Sequence, residues 1–528
     1  MSRTEATADD PKSHSARTPS LRRRAGNADA RARRAIKSTS GKTAASVALP
    51  ARNTLTSAVK KTDLHQATRA QTLRDRARRV VADLEPPVEL SPAVRQSGLS
   101  LETEKDVLDL ALRIGESMVS TGASVASSTT AMLRVGRAYG VTSLFVDITF
   151  TSISATIERE DAPITRIRVV ALRSPDYSRL AALGKLVSDA GVLPLPNALA
   201  RLDSILAQSH PYRRGVVTIA LGAMAAGVAI LVGGGIFAAL VAFGTTVMID
   251  RTLRWMRNRG LPYLFQQALG AAIATGVALV LIRGKEYFSW GQLVPPSVVV
   301  ASGIVVLLAG LSTVGAAEDA IAGFPLTAAA RTFEVVLYTA GIVIGVGIVL
   351  DFGGRIGIPL NIIVLGTPEP PWFLQMVAGA VISAGWAVAS YSLPRTILVA
   401  TGVGALAAGA AKLMLSLGFG GITSSFIAAL FVGFLAYALS EKLGVLPVVV
   451  TICGITPLLP GLAIYRAMFT AVESNNVLEG ASLLVGAAGI GLALAAGVTL
   501  GQFLAAPIEG EMGRWQRRIS RRGRGSRA

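Results

Sequence analysis

PSVVVASGIVVLLAGL, residues 296–311, returns without a gap as PVVVTICGITPLLPGL, residues 447–462. Nine of sixteen positions are identical, among them Pro296/Pro447, Gly303/Gly454 and Gly310/Gly461. A weaker echo sets GLPYLFQQAL (260–269) against GITSSFIAAL (421–430), aligning Phe265 with Phe426 and Ala268-Leu269 with Ala429-Leu430. The hydrophobic part of the chain therefore reads as duplicated. If each copy holds an odd number of membrane spans, the copies must face opposite ways across the bilayer, an inverted repeat of the kind found in many secondary transporters.

Composition agrees with a membrane setting. With 54 glycines and only 16% charged residues in 528, and a mean hydropathy of +0.51, the apolar runs are too long and too uncharged for a water-soluble core. The net charge of +19 is concentrated at the ends: residues 1–80 carry 19 Lys/Arg against 6 acids, and WQRRISRRGRGSRA closes the chain. Such tails suit anionic lipid, each nearby basic residue contributing about 1 kcal/mol. Nucleic acid is the poorer partner, because no aromatic residues interleave with the charges.

Cys453 is the one cysteine and His14, His65 and His210 are widely spaced, so neither a disulfide framework nor a metal site is expected. No GxxxxGK[ST] phosphate loop is present, and no cofactor is expected. The charged start, with no apolar run before about residue 105, does not read as a secretory signal. Glu5, Asp9 and Asp10 weaken a transit-peptide reading.

The chain divides into a disordered basic tail (1–98), a small soluble α+β domain (99–212), two five-helix membrane repeats (213–355 and 356–506) and a basic tail (507–528). In the α+β stretch, Val107, Leu108, Ala111, Ile114 and Met118 recur at helical spacing, and a second helix covers Ser124 to Tyr139. SLFVDITF, SISATIER and ITRIRVVAL then read as three strands, and residues 175–209 return to helical spacing with a break at Pro194 and Pro196. Ten spans are expected, at roughly 215–232, 234–250, 262–282, 296–314, 329–350, 372–391, 396–416, 421–440, 445–465 and 480–505. An even number puts both basic ends on one side, the cytoplasmic side of the plasma (inner) membrane by the positive-inside rule, and the four arginines of RTLRWMRNRG (251–260) fall there too.

Ionisable residues near spans are functional candidates by default. Glu318 and Asp319 open EDAIAGFPLTAAAR, a linker with Gly323 and Pro325 as helix interrupters, and Arg331 and Glu334 share a helical face close enough to pair. Asp319 is the first choice for a proton-exchanging carboxylate and Glu318 the second. In the other copy, Pro457 and Pro460, with Gly461 beside them, break a span and free backbone groups to hold a ligand. Thr451, Thr456 and Tyr465 supply hydroxyls there and Arg466 a cation. Alternative readings are a solvated turn for the acids and a simple packing kink for the prolines. Ser127, Ser128, Thr129 and Thr130 resemble a nucleophile cluster, yet no His precedes His210 in that domain, which disfavours a membrane-anchored hydrolase. A sensor acting through the soluble domain is the other rival.

ASGIVVLLAGL with EDAIAGFPLTAAAR (301–331) and GITPLLPGLAIYR (454–466), behind LALRIGESMVSTGAS (110–124) and VDITFTSISATI (146–157), resembles the threonine/serine exporter family of actinobacteria (ThrE-type) in its fused two-half form, over about residues 100–506. The resemblance implies export of L-threonine and L-serine driven by protons, ten spans and a cytoplasmic N-terminal domain, and it leaves a homo-oligomer open. The expected mechanism is alternating access between the two repeats. A zwitterionic substrate needs an anion, a cation or helix end, and a hydroxyl partner, which Asp319, Arg466 and Thr456 could supply. The sequence departs from the family where Val125-Ala126-Ser127-Ser128 follows Gly122-Ala123, in place of an acidic residue, so no role for that acid transfers.

Overall fold

The computed structural model describes residues 99–525, apart from 160–161, 171–173, 285–293, 308–309, 358–369, 462, 465, 468–469 and 471–476. The expected basic tail at 1–98 lies outside the described residues.

Helix α1 (Leu101–Ser120) starts where the Ser100 side chain accepts from the Thr103 amide, and Glu102 and Glu104 sit at its positive end. The apolar stripe read from the sequence, Val107, Leu108, Ala111, Ile114 and Met118, is buried. Ser124 caps α2 (Val125–Ala138) by accepting from the Ser127 amide. Strands β1 (Leu144–Ile148), β2 (Ser152–Ile157) and β3 (Ile164–Val169) form an antiparallel meander in the order β1-β2-β3. The alternation of β2 buries Ile153, Ala155 and Ile157 toward the helices. Helices α3 (Tyr177–Ser188) and α4 (Leu195–Ala207) complete the unit, with Pro194 and Pro196 at the break as expected.

The core of this α+β unit does not close on itself. Leu108, Met132, Leu180, Leu183 and Leu202 share one apolar cluster with Ala387, Ala400, Val449 and Cys453, which belong to the apolar helices that follow.

Those helices are α5 (Arg214–Leu231), α6 (Ile236–Asn258), α7 (Tyr263–Gly284), α8 (Pro296–Leu307), α9 (Gly310–Ile321) and α10 (Pro325–Arg355) in the first half. The second half has α11 (Trp372–Ala389), α12 (Pro394–Ser416), α13 (Gly421–Leu443), α14 (Pro447–Ile455) with a 3-10 turn at Thr456–Leu458, and α15 (Val477–Gly525). Among the described residues, eight helices are long and apolar enough to cross a membrane, and nine if the bent pair α8 and α9 counts as one span. The chain is a multi-pass membrane protein.

Two of the ten expected segments thus take a different form. The fourth is a pair bent by 48° that reaches Ile321 and not residue 314, so Glu318 and Asp319 stand on a helix and not in a linker. The ninth is short and ends in the 3-10 turn at Pro457. In the alignment of the repeats, Leu307 matches Leu458 and Gly310 matches Gly461. The 48° bend between α8 and α9 falls between Leu307 and Gly310, at the place in the alignment where the second copy has its 3-10 turn ending at Leu458 and helical structure again at Gly461.

Glycine sets how closely the helices approach. A Cβ added to Gly341 or Gly345 of α10 would lie 2.7 or 2.0 Å from the carbonyl oxygens of Leu264 and Ala268 in α7. The second half repeats this contact, since Gly497 and Gly501 of α15 would meet the carbonyl oxygens of Phe426 and Leu430 in α13 at 2.4 and 2.1 Å. The matched pair Gly303 and Gly454 behaves likewise. Gly303 faces Ala274 of α7 and Ile249 of α6, and Gly454 faces Val432 of α13 and Val403 of α12. The weaker sequence echo falls where the fifth helix of each half rests on the third.

Gly345→Ala should therefore lower the thermal midpoint of the purified protein in detergent, through overpacking that costs about 1–3 kcal/mol, and Gly501→Ala should do the same. Gly347→Ala, which meets open space, should leave the midpoint unchanged or raised. Equal midpoints for Gly345→Ala and Gly347→Ala would contradict the close approach of α7 and α10.

Candidate functional site

Helix α9 ends at Ile321, and Gly323 takes a φ of +90°, a conformation that favours glycine, to reverse the chain. The helical run is interrupted between Ile321 and Pro325, and Pro325 occupies the start of α10, where its missing N–H has no cost. The reversal brings Arg331 of α10 back against Asp319 of α9, with Nη1 at 3.2 Å from Oδ2. Asp319 is 0% exposed and the Arg331 side chain 14%. Gly315, one turn before Asp319, makes room for the guanidinium, since a Cβ there would lie 2.6 Å from Arg331 Nη1.

A third group comes from the α+β unit. The amide of Val125, the first residue of α2, donates to Asp319 Oδ1 at 3.4 Å. The first amides of a helix lack intrahelical acceptors and carry the positive end of its dipole. Asp319 is thus held between a cation and a helix N-terminus. Nearby, the Thr327 hydroxyl donates to the Ile148 carbonyl at 3.5 Å, tying α10 to β1.

Arg331 pairs with Asp319 across the joint and not with Glu334 along its own helix. Glu334 instead accepts from the Tyr338 hydroxyl at 2.5 Å, and Tyr338 packs on the Tyr263 ring with centroids 4.9 Å apart. Glu318 lies within electrostatic reach of both Arg331 and Tyr177 of α3.

At the other break, the Thr456 hydroxyl donates back to the Ile452 carbonyl at 2.9 Å, leaving its lone pairs as acceptors. Leu459 is extended, and the Ile464 amide donates to the Pro460 carbonyl at 2.9 Å where helical structure resumes. Thr451 is buried, Arg466 is exposed, and Tyr465 lies outside the described residues. A cavity of about 280 Å³ reaches this break and is lined by Leu231 of α5, Gln375 of α11, Lys412 of α12, and Pro457 and Leu458. It joins segments from both halves around the prolines.

Ser127 is spoken for structurally, its hydroxyl 2.8 Å from that of Ser124 at the α2 cap. His210 sits with its Nδ1 2.9 Å from Asp176 Oδ2, at the other end of the unit's chain. Among the described residues no group of acids, histidines and cysteine could hold a metal. The sequence reading picked out Asp319 and Arg331 but missed the Val125 amide, Gly315, Gln375 and Lys412. All four act through tertiary neighbours that no local spacing encodes.

Comparison with known proteins adds a second line. Residues 109–353 match the ThrE family, described as "Putative threonine/serine exporter", and residues 375–504 match a second family described as "Threonine/Serine exporter, ThrE". A probable threonine/serine exporter of Mycobacterium tuberculosis is 38% identical over 431 residues, covering 78% of this chain and 79% of that one. A threonine/serine exporter of Corynebacterium glutamicum is 34% identical over 407 residues, covering 76% and 82%. No solved structure matches.

Removing one member of a buried ion pair leaves the other uncompensated, at a cost of about 3–5 kcal/mol. Asp319→Asn and Arg331→Gln should each destabilise the protein clearly in thermal unfolding. The double variant Asp319→Asn/Arg331→Gln should lose less than the sum, with a coupling of at least about 1 kcal/mol. Strict additivity would mean the two groups do not interact.

Proposed function

The chain belongs to the threonine/serine exporter family, and from that premise we propose that it exports L-threonine and L-serine across the plasma membrane as a secondary carrier coupled to the proton gradient. Family membership makes it a transporter and not an enzyme.

The observation that carries the mechanism is Asp319, a carboxylate with no exposed surface at the joint of the fourth and fifth segments. A buried charge in an apolar bundle is expensive and marks a pathway for ions or substrate. A zwitterionic amino acid brings one charge of each sign. Its ammonium can take over Asp319 or Glu318 while its carboxylate takes over Arg331 or the helix ends at Thr456–Pro460, so the pair opens without leaving either charge bare. In this reading Arg466, exposed in the present conformation, serves at the entrance and Thr456 accepts from the substrate hydroxyl. Pro457, Pro460 and Gly461 keep the second break open.

Alternating access between two inverted five-segment repeats is the accompanying reading. Support comes from the ends of the matched helices. Helix α8 begins beside the α5–α6 turn, where a Cβ on Gly234 would lie 2.8 Å from Val298, and the segment finishes at Asp319 against the α+β unit. Helix α14 begins beside that unit, with Leu446 3.2 Å from a Cβ on Gly184, and leads away from it. In this reading, following the positive-inside rule for the basic ends, that unit and both termini face the cytoplasm. Moving one charge through 100 mV supplies about 2.3 kcal/mol, roughly a fiftyfold gradient, so one proton per substrate drives useful efflux.

Vesicles reconstituted with the full chain and loaded with labelled threonine provide the test. Wild type should release threonine and serine faster when a proton gradient is imposed. Asp319→Asn should reduce the proton-driven component at least about tenfold, equivalent to about 1.4 kcal/mol. Undiminished efflux removes Asp319 from the mechanism, and a wild type that moves neither amino acid overturns the substrate assignment.

A further inference from the structure

The α+β unit meets the membrane helices at a second place, around the turn between α11 and α12. Asp176, the N-cap of α3, has a side chain only 4% exposed and accepts from the Ser178 hydroxyl at 2.6 Å and the Arg179 amide at 3.1 Å, with His210 Nδ1 at 2.9 Å. The His210 ring stacks on Tyr391 at 4.3 Å between centroids. Tyr391 has a φ of 59°, the one left-handed non-glycine among the described residues. Such backbone strain clusters at functional sites and persists only where neighbours enforce it. The Tyr212 hydroxyl donates to the Ser392 carbonyl at 2.9 Å, and the Tyr177 amide to the Ser390 carbonyl at 2.9 Å.

This mount points Tyr177 out of its own unit. Its side chain is buried beside Trp386 and Ser390 of the α11 end, Cys453 of α14 and, at longer range, Glu318 of α9. Two helices of the second half therefore meet one tyrosine supplied from outside them, and Glu318 of the first half lies within its electrostatic reach. Burial pushes its hydroxyl above the ordinary tyrosine value, so it stays protonated and able to donate.

The polar groups around it are under-used. The Tyr391 and Thr451 hydroxyls are buried without a hydrogen bond, while Trp386 Nε1 and the Ser390 hydroxyl face the Tyr177 oxygen and the Ser392 hydroxyl faces the Cys453 thiol, none of them in a well-formed hydrogen bond. Leaving such groups unsatisfied is costly, and folded proteins hold few of them. Here they collect on one strained turn and the facing helix, around a tyrosine that Glu318 reaches electrostatically. An indole N–H donates only, hydroxyls do both, and Glu318 accepts. That inventory suits a small molecule carrying a carboxylate, a hydroxyl and an ammonium.

We propose that Tyr177 is a substrate-positioning residue of the transport site, its hydroxyl and those of the Ser390–Ser392 turn holding the polar groups of the hydroxy-amino acid. The assignment rests on the exporter reading and deepens it, because it makes the α+β unit part of the site itself. Tyr177→Phe keeps the ring and the amide bond to Ser390 and removes only the hydroxyl.

The test is threonine counterflow, which needs no proton coupling, in vesicles containing the full chain, with valine as the comparison substrate that lacks the hydroxyl. For Tyr177→Phe the KM for threonine should rise about tenfold, equivalent to about 1.4 kcal/mol, with kcat within about twofold, an unchanged thermal midpoint and a smaller effect on valine. Trp386→Phe should raise the threonine KM in the same direction. An unchanged threonine KM in Tyr177→Phe overturns the proposal, and so does an equal loss for threonine and valine that follows a lowered midpoint, since packing alone would produce that. Wild type without threonine counterflow would sink the exporter reading along with it, whereas normal wild-type counterflow with an indifferent Tyr177→Phe sinks only this assignment.

Discussion

A carboxylate out of reach of water fixes the arrangement of this protein. Asp319 is bound at one oxygen by the guanidinium of Arg331 on the next helix and at the other by the first amide of α2. Three separate pieces of chain, α2, α9 and α10, must be in place for its charge to be matched. Desolvating the pair offsets most of its Coulomb attraction, so it adds little to net stability compared with apolar side chains of the same shape. Its effect is on uniqueness: any arrangement that separates the three pieces exposes an unmatched charge in an apolar setting.

The same constraint explains why the α+β unit is not a detachable appendage. Its apolar cluster runs on into Ala387, Ala400, Val449 and Cys453, and its polar contacts land on the two turns that close the membrane segments at that end, at Phe324 and at Ser390–Ser392. The cluster provides adhesion without direction. The hydrogen bonds from Tyr177, Tyr212 and Val125 fix the register, because each is directional and lost within about an ångström. A motion of the unit away from the bundle would release Asp319 and the Ser390–Ser392 turn together.

Much of this was legible in the sequence where the cause is local. The stripe of α1, the extent of α2, the alternation of β2 and the proline break before α4 follow from spacing, and each lies within a residue or two of its expected place. Family membership was legible too, in long motifs around Gly303 and Gly454. The errors share one origin. Three-residue spacing suggested that Arg331 would take Glu334, but a reversal at Gly323 offered the buried Asp319, and a long-range partner with no water to compete outweighs a surface neighbour. Nothing in the spacing of Tyr177, Trp386 or Lys412 shows which helix ends meet, since those contacts are set by the packing of whole segments.

The two breaks bear on what proline does here. In the second copy Pro457 and Pro460 account for the 3-10 turn and the extended Leu459 by removing donors and crowding the preceding turn. The first copy has Val306 and Ala309 at the matching positions, yet the chain turns by 48° between α8 and α9. Proline is therefore not the common cause. The elements the copies share are the glycines, Gly303 and Gly454 seating each segment against the second and third helices of its half, and Gly310 and Gly461 at the resumption. Close seating fixes the first part of the segment, and the second part must follow a different neighbour: α9 turns toward α10 and α15. The break is then a product of packing that both copies inherited, which proline reinforces in one of them. With that division, the first copy carries Glu318 and Asp319 beyond its bend, and the second carries the proline-broken turn at Thr456–Leu458.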